Sequence, residues 1–384
     1  MTAARLAGPP DSGFAESSTQ VCNDELRVST CFFMNEIPSF AGAELERLYG
    51  SIYASIGQFL VYDHDGPAST YVARRDSSVV AILLFRLEGH CVKVLNEVIQ
   101  LDIEEINRFA RFAFASFPAA QVLMFHALGT GPEKPDFLYQ RYNCLEDIVL
   151  ALPGTEQAYF ASLGKNTRRN LKRYQRKLLD VHPGFCFDIL DAGQIDSQII
   201  DDIVALNRAR MAVKKKVSAL QASHTDALIQ LAQHCGLVGV ARINGRVCAG
   251  AISFRTGKNY YLSVIAHDPL YDEFWLGILC CYMTICACIA RGGKEFHFLW
   301  GEYEYKYTLL GVRRDLDNLT LYRSPLQLLR HADVALKMLR LGLARRLHLS
   351  LHAMSHSERP LSRWLRKAVQ RWRNVKDVLP PEAP

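Results

Sequence analysis

Two stretches of this chain, 69–152 and 238–322, spell the same order of elements, and that repeat limits the fold more than any other feature of the sequence. In the later stretch, apolar runs at 238–243 and 247–254 flank Asn244-Gly245. Both residues of that dipeptide tolerate positive φ, so it predicts a type I′ hairpin. A strand at 260–266 follows, then an apolar helix at 275–290 closed by Gly292-Gly293 in the Schellman position, then strands at 295–300 and 316–322. The earlier stretch reads as a strand at 69–75, a turn at Asp76-Ser77, strands at 79–87 and 92–100, a helix at 102–117 that Asp102 can cap, and strands at 121–128 and 147–152. A helix at 43–58 precedes the first stretch. A helix at 155–179 with Thr155 as N-cap, a strand at 185–190 and helices at 195–212 and 225–235 precede the second.

This order predicts an α/β (α+β) fold of two tandem units, each a mixed, mostly antiparallel sheet with one parallel contact across a helix. In such a sheet the strands before and after the helix can splay apart, leaving backbone N–H and C=O groups that need partners. The expected division is an unstructured 1–25, a unit at 26–153, a second unit at 154–325 and a basic helical tail at 326–384. The 384 residues, 49% hydrophobic and 22% charged, can fill two cores and exclude wholesale disorder.

The net charge of +6 is concentrated at the end. From Arg323 to Asp377 there are 13 Lys/Arg against Asp333, Glu358 and Asp377. Leu328, Leu329, Leu336, Leu339, Leu343 and Leu347 fall near one helical face, flanked by Arg330, Lys337, Arg340, Arg345 and Arg346. The segment 363–376 repeats the theme with Trp364 and Trp372. Such a helix either packs on the body or lies on an anionic membrane surface. The 11 cysteines form no CxxC pair and no Cys/His grouping with zinc spacing, so buried free thiols in a reducing compartment are expected, and no metal. Residues 1–20 lack the apolar core of a signal peptide, and the apolar run Leu276–Ala290 is shorter than the ~18 residues a spanning helix needs. A cytoplasmic protein, or one peripheral on the inner membrane face, is expected.

Three blocks in order carry a resemblance. They are the basic helix Asn166-Thr167-Arg168-Arg169-Asn170-Leu171-Lys172-Arg173 and Arg176-Lys177-Leu178; the hairpin from Val238-Gly239-Val240-Ala241-Arg242 through Gly250-Ala251-Ile252-Ser253-Phe254 to Tyr260-Tyr261-Leu262; and Phe296-His297-Phe298-Leu299-Trp300-Gly301-Glu302-Tyr303-Glu304-Tyr305-Lys306, ending at Gly311. Over 155–325 the chain resembles the cellulose-biosynthesis-type acetyltransferases of the GNAT superfamily, relatives of the Fem-type aminoacyl transferases. The resemblance implies tandem GNAT-like units, the first degenerate, and an enzyme moving an acyl (acetyl) group from acyl-CoA to an amine or hydroxyl, in surface polysaccharide or envelope biosynthesis. The acceptor would be a small molecule or a glycan amine. The sequence departs where such proteins carry a glycine-rich diphosphate loop: it has His267-Asp268-Pro269-Leu270-Tyr271-Asp272-Glu273-Phe274-Trp275-Leu276-Gly277, with one glycine and three acids. That departure keeps open a Fem-like transfer from aminoacyl-tRNA, or a non-catalytic scaffold docked to a membrane synthase. No groove-reading or RNA-module signature is present, so nucleic acid enters only as tRNA.

The resemblance places the acyl-CoA arm along Ser263, Val264, Ile265 and Ala266, with its phosphates at Trp275, Leu276 and Gly277 on the helix N-terminus. Acyl transfer needs a base, oxyanion donors and an acid for the leaving thiolate. Glu302 and Glu304, beside Trp300, Tyr303, Tyr305 and Tyr307, are candidate bases if desolvated, or exposed acids balancing Lys306. Tyr305 is the candidate acid, or a hydrogen-bond donor to the leaving sulfur, or an aromatic core residue. His267 is a further candidate base, or a turn histidine before Pro269. Arg168, Arg169, Lys306 and Tyr303 are candidate substrate contacts, with Arg173 beside them, and Lys214-Lys215-Lys216 a candidate lid.

Overall fold

The turn chemistry holds: Asn244 and Gly245 take φ of 51 and 82. They join β10 (Gly236–Ile243) to β11 (Arg246–Thr256). The computed structural model describes residues 21–23, 28–62, 66–213 and 222–355. The expectations for 1–20 and 24–25, for the lysine run at 214–216 and for 363–376 lie outside the described residues.

The first half runs β1 (Val21–Asn23), β2 (Val28–Phe33), α1 (Ala41–Tyr49), a 3-10 turn (Ile52–Ala54), α2 (Ile56–Tyr62), β3 (Ser69–Arg75), β4 (Ser78–Glu88), β5 (Cys91–Val94), β6 (Ile99–Gln100), α3 (Ile103–Ser116), β7 (Val122–Gly129) and β8 (Leu138–Ala151). The second half runs α4 (Glu156–Ser162), α5 (Lys165–Val181), β9 (Phe185–Asp191), α6 (Ser197–Val213) and α7 (Ala222–Cys235), then the β10–β11 hairpin. It continues with β12 (Asn259–His267), a 3-10 segment (Pro269–Phe274), α8 (Leu276–Ala290), β13 (Glu295–His297), α9 (Glu304–Thr308), β14 (Val312–Tyr322), α10 (Pro325–Arg330) and α11 (Ala332–Ser355).

Several expected elements are interrupted. The helix at 43–58 breaks where Gly50 enters the left-handed region at φ 51. The strand at 92–100 stops at Val94 and resumes as β6, because Val98 takes φ 53. The helix at 155–179 divides at Leu163-Gly164; Thr155 does cap its first part, accepting from Ala158 N–H at 3.1 Å. Asp102 stands at the N-cap of α3, but its side chain makes no cap hydrogen bond. The strand at 295–300 ends at His297, for a reason given below.

All strands join one sheet in the order β1-β2-β3-β4-β5-β7-β14-β8-β13-β12-β11-β10-β9, with β6 beside β7. Parallel contacts occur at β5/β7, β6/β7 and β12/β13; the other pairs are antiparallel. The expected unit boundary at 153/154 is therefore not respected by the sheet: β14, from the second stretch, lies between β7 and β8 of the first. α3 lays Phe109 and Phe112 on Tyr71, Phe85 and Phe125, one core of the first half. In the second half α8 packs its buried cysteines Cys280, Cys281, Cys286 and Cys288 in one core, and α6 and α7 cover the opposite face with Ile200, Ile203, Leu228 and Leu231. α8 is buried nearly all round and closes as a Schellman motif: Gly293 N–H donates to Cys288 O (3.0 Å) and Gly292 N–H to Ile289 O (2.9 Å).

The C-terminal helix packs one side on the body and leaves its leucine face exposed. α11 packs on β8 through Met338, Gly342 and Arg345, the last bonded to Glu146. Gly342 permits the approach, since a Cβ there would lie 3.1 Å from Tyr142 Cβ. Away from the body, Leu336, Leu339, Leu343 and Leu347 are exposed, spaced three and four residues apart on one helical face. No described helix is long and apolar enough to cross a membrane.

Candidate functional site

β12 is paired with β11 along its length, from Asn259 opposite Thr256 to His267 opposite Ala249. Its other edge meets β13 only at Asn259, Tyr260 and Tyr261, opposite Glu295, Phe296 and His297. Beyond Tyr261 the strands part. The chain after His297 turns toward β8, where Phe298 N–H donates to Ile148 O (2.8 Å) and Ile148 N–H to Leu299 O (3.3 Å). From Leu262 to His267 that edge of β12 has no strand neighbour among the described residues. The expected slot is present. Ser263 bulges at its base: Leu262 faces Ser253 and Val264 faces Ile252, so Ser263 is the extra residue, and it is exposed.

A buried lysine holds the fork open. Leu299 and Gly301 take φ of 58 and 88, turning three carbonyls inward. Lys306 Nζ donates to all three, at 2.9 Å to Phe298 O, 2.9 Å to Leu299 O and 2.6 Å to Trp300 O. Burial pushes its pKa down to about 8, against the opposing pull of Asp147 and Glu146. This corrects the expectation that Lys306 contacts substrate: its three donors are spent on the main chain, and it is 2% exposed.

α9 then presents its aromatics. Tyr305 packs edge-on against Phe298 (6.2 Å between centroids) and stacks on Tyr303 (6.4 Å). Burial raises the Tyr305 phenol pKa, the Cys281 thiol of α8 adds to that, and Arg210 of α6 opposes it. The group is thus a neutral phenol at the fork, a hydrogen-bond donor whose proton is not lost outright. Trp300, Tyr303 and Tyr307 form an exposed ledge beside it, at 42%, 61% and 40%.

The carboxylates do not sit as expected. Glu302 Oε1 is held by Arg313 Nη1 at 2.6 Å, and Glu304 is exposed at the first position of α9. Three of the aromatic neighbours that were to desolvate them, Trp300, Tyr303 and Tyr307, are themselves exposed, and Glu302, one of the two acids that were to balance Lys306, is held by Arg313 instead. His267 is also withdrawn: Nε2 lies 2.6 Å from Asp272 Oδ1, and the ring packs on Gly277, where a Cβ would lie 2.6 Å from Nδ1. It is the turn histidine rather than a base.

At the helix end expected to receive phosphates, Leu276 and Gly277 are buried and Trp275, at φ 56, stacks on Tyr174 of α5 (5.2 Å). Asp272 is taken by His267, and Glu273 by Lys177 of α5 at 2.5 Å. Among the other substrate candidates, Arg168 Nη1 reaches Ala161 O at 3.4 Å and Arg169 is exposed on α5. Arg173 bonds Tyr174 Oη at 2.8 Å. The basic face of α5 therefore flanks the start of α8 rather than the fork.

One cluster escaped the sequence reading. His297 Nδ1 lies 2.6 Å from Asp147 Oδ2, its Nε2 lies 3.3 Å from Glu295 Oε2, and Arg314 Nη2 holds Glu295 at 2.6 Å. Tyr261 stacks on the imidazole at 4.2 Å and donates to Gly50 O at 2.7 Å. The only signal was charge inside the strand Glu146-Asp147-Ile148-Val149, which period-2 patterning does not connect to residues 150 positions away.

Comparison with curated protein sequences finds no match. Among solved structures, the crystal structure of FemX is 9% identical with a TM-score of 0.56, covering 75% of this chain and 96% of that one. L-PGS from Bacillus licheniformis is 15% identical at TM-score 0.46, covering 79% and 94%. A tandem GNAT protein from the clavulanic acid biosynthesis pathway is 10% identical at TM-score 0.36, covering 78% and 99%. Residues 165–307 match the model of the acetyltransferase (GNAT) domain, and that span contains the fork, its lysine and Tyr305: over this part the chain is similar to GNAT-type acetyltransferases.

Proposed function

We propose that this chain transfers an acyl group from an activated donor, lying along the open edge of β12, to an amine or hydroxyl acceptor. The carrying observation is the parting of β12 from β13 after Tyr261, with the Ser263 bulge at the fork. An extended donor arm with amides pairs with the N–H and C=O groups that β12 leaves open. Backbone N–H groups at 263–266 polarise the acyl carbonyl and stabilise the tetrahedral oxyanion. The acceptor nitrogen or oxygen adds to the acyl carbon; as that intermediate collapses the carbon–leaving-group bond breaks, and Tyr305 passes its proton to the departing atom while taking the acceptor's proton in return, so the phenol stays neutral.

The arm of acyl-CoA fits this edge. Its diphosphate fits the start of α8 less well, because Leu276 and Gly277 are buried there and residues 267–277 form no glycine-rich loop. A second reading, transfer of an aminoacyl group from tRNA, is favoured by one observation: Lys165, Arg168, Arg169, Lys172, Arg173, Arg176 and Lys177 line α5 beside that helix start, against a single Asp180. Calorimetric titration separates them. Heat on adding acetyl-CoA supports the first reading; a silent titration with a mobility shift on charged tRNA supports the second; neither response sinks acyl transfer.

The leucine face of α11, bordered by Arg340 and Arg346, supports peripheral attachment to an anionic inner membrane face. With the resemblance to cellulose-biosynthesis enzymes, this favours an acceptor in surface polysaccharide or envelope metabolism.

A further inference from the structure

The first half has a fork of its own. β5 runs parallel to β7 at Cys91–Lys93, opposite Val122–Met124, then leaves it, and the two meet again through Val98 N–H and Ala127 O at 2.9 Å. Both of these residues are left-handed, at φ 53 and 49. Non-glycine residues, a β-branched valine above all, adopt that region at a cost, and such strain collects at ligand sites.

Above this fork lies a cavity of about 610 Å³. Its floor is the face of the sheet turned away from α3. Alternation sends Leu83, Phe85, Val92, Phe125 and Leu319 into the α3 core, and puts Arg86, Lys93, His126, Tyr142 and Asn318 on the other side. A polar sheet face normally meets water. Here α2 and α11 roof it, with Phe59 and Tyr62 from one and Met338 and Leu341 from the other.

The polar groups inside are unevenly committed. Lys93 is bound to Glu88 at 2.5 Å, and Arg86 donates to Gly66 O at 2.6 Å while lying over the Phe59 ring. Glu97 has no ion pair or side-chain hydrogen bond among the described residues, and burial raises its carboxyl pKa with His126 opposing. Asn318 Nδ2 donates to Tyr142 Oη (2.6 Å), so its Oδ1 accepts from His126 Nδ1 (2.6 Å), which leaves the other ring nitrogen, Nε2, outside that bond. Asn96 is 1% exposed; its Oδ1 accepts from Leu84 N–H (2.6 Å), and its Nδ2 has no partner among the described residues.

From this geometry we infer that the cavity binds a small primary amine with an apolar body and a carbonyl or hydroxyl: Glu97 and His126 receive the ammonium, Asn96 Nδ2 the oxygen, and Phe59, Tyr62 and Leu341 the body. An uncommitted carboxylate beside an imidazole selects a cation, and an orphaned buried amide N–H selects an oxygen acceptor. Tyr53 lines the cavity and its ring lies 5.2 Å from Trp300 at the β12 fork, so a bound amine sits next to the donor slot. This names the acceptor of the proposed acyl transfer and rests on that reading for the word acceptor alone, since binding needs no donor.

The test is calorimetry on the full chain without any acyl donor, using L-phenylalaninamide and N-acetyl-L-phenylalaninamide. The free amine should bind, and capping it should weaken binding roughly tenfold or more, as loss of a charge-assisted contact does. Glu97→Gln should weaken the free amine similarly and not the capped one. Leu341→Trp, which fills the cavity from its roof and leaves Glu97 in place, should abolish binding of both. Absence of binding to the wild type, equal binding of both probes, or wild-type affinity in Glu97→Gln overturns the inference. Amine binding without turnover leaves the site standing and sinks only acyl transfer.

Discussion

His297 and Asp147 are joined at 2.6 Å across the boundary between β13 and β8, each side chain 6% exposed or less. Burial alone lowers the imidazole pKa, but its bonds to Asp147 and Glu295 outweigh that and raise it overall. The same imidazole, with Arg314, holds Glu295 down to about 2 despite partial burial. A raised histidine stabilises the fold below its unfolded pKa of about 6.5, and that stability is lost as pH rises through the folded value. A depressed carboxylate stabilises above about 4.5, and that contribution is lost as pH falls toward 2. The cluster therefore supports the fold most between about pH 4.5 and 6.5. The difference in Tm between wild type and His297→Gln should be largest in that window and shrink on both sides; a difference independent of pH would contradict it.

Lys306→Met should destabilise the protein by about 3 kcal/mol or more, since it leaves three inward carbonyls without their donor. Chemical denaturation measures this. A loss below about 1 kcal/mol would mean the turn at 298–301 is held by something other than the ammonium.

Tyr305→Phe should lower kcat at least about tenfold with the fold intact, because a positioned acid contributes about 10²–10⁴. Glu302→Gln should leave kcat within about twofold, since Arg313 already holds that carboxylate. Circular dichroism and steady-state kinetics on both variants decide the matter; the reverse ranking would return the base to Glu302.

Gly277→Ala should cost about 1–3 kcal/mol, because the new methyl would lie 2.6 Å from His267 Nδ1 in a closely packed turn. Pairing it with His267→Ala should recover most of that loss. If the double variant shows no recovery, the contact is not the cause.

Leu339→Glu with Leu343→Glu should abolish sedimentation with anionic vesicles while leaving thermal stability unchanged, as both residues face away from the body. Undiminished vesicle binding would place any membrane contact elsewhere.

Much of the architecture was readable from local rules. The Asn244-Gly245 turn, the Thr155 cap and the Schellman end of α8 follow from residues near each other in sequence, and the slot beside 260–266 follows from the order of elements. What was not readable depends on long-range partners. The aromatic setting of Glu302 and Glu304 suggested desolvation, but Arg313, eleven residues past Glu302, decides that carboxylate's state. Lys306 looks like a surface lysine at the head of a short helix, and only the positive φ of Leu299 and Gly301 brings carbonyls to it. Asp272 read as an opponent of phosphate, whereas its carboxylate is spent on His267.

The position of β14 has a bearing on how the molecule is made. Eleven pairs tie Val312–Tyr322 to Leu138–Val149, and a second set ties it to β7, so the amino-terminal sheet is missing an interior member until residues through Tyr322 have left the ribosome. A nascent chain halted near residue 153 would present two raw strand edges at the width of one absent strand, an arrangement prone to sticking to other chains. The two halves are therefore bound to a common birth: neither can be expected to mature as a free-standing fragment, and a gene cut at the linker should yield halves that fold only when supplied together.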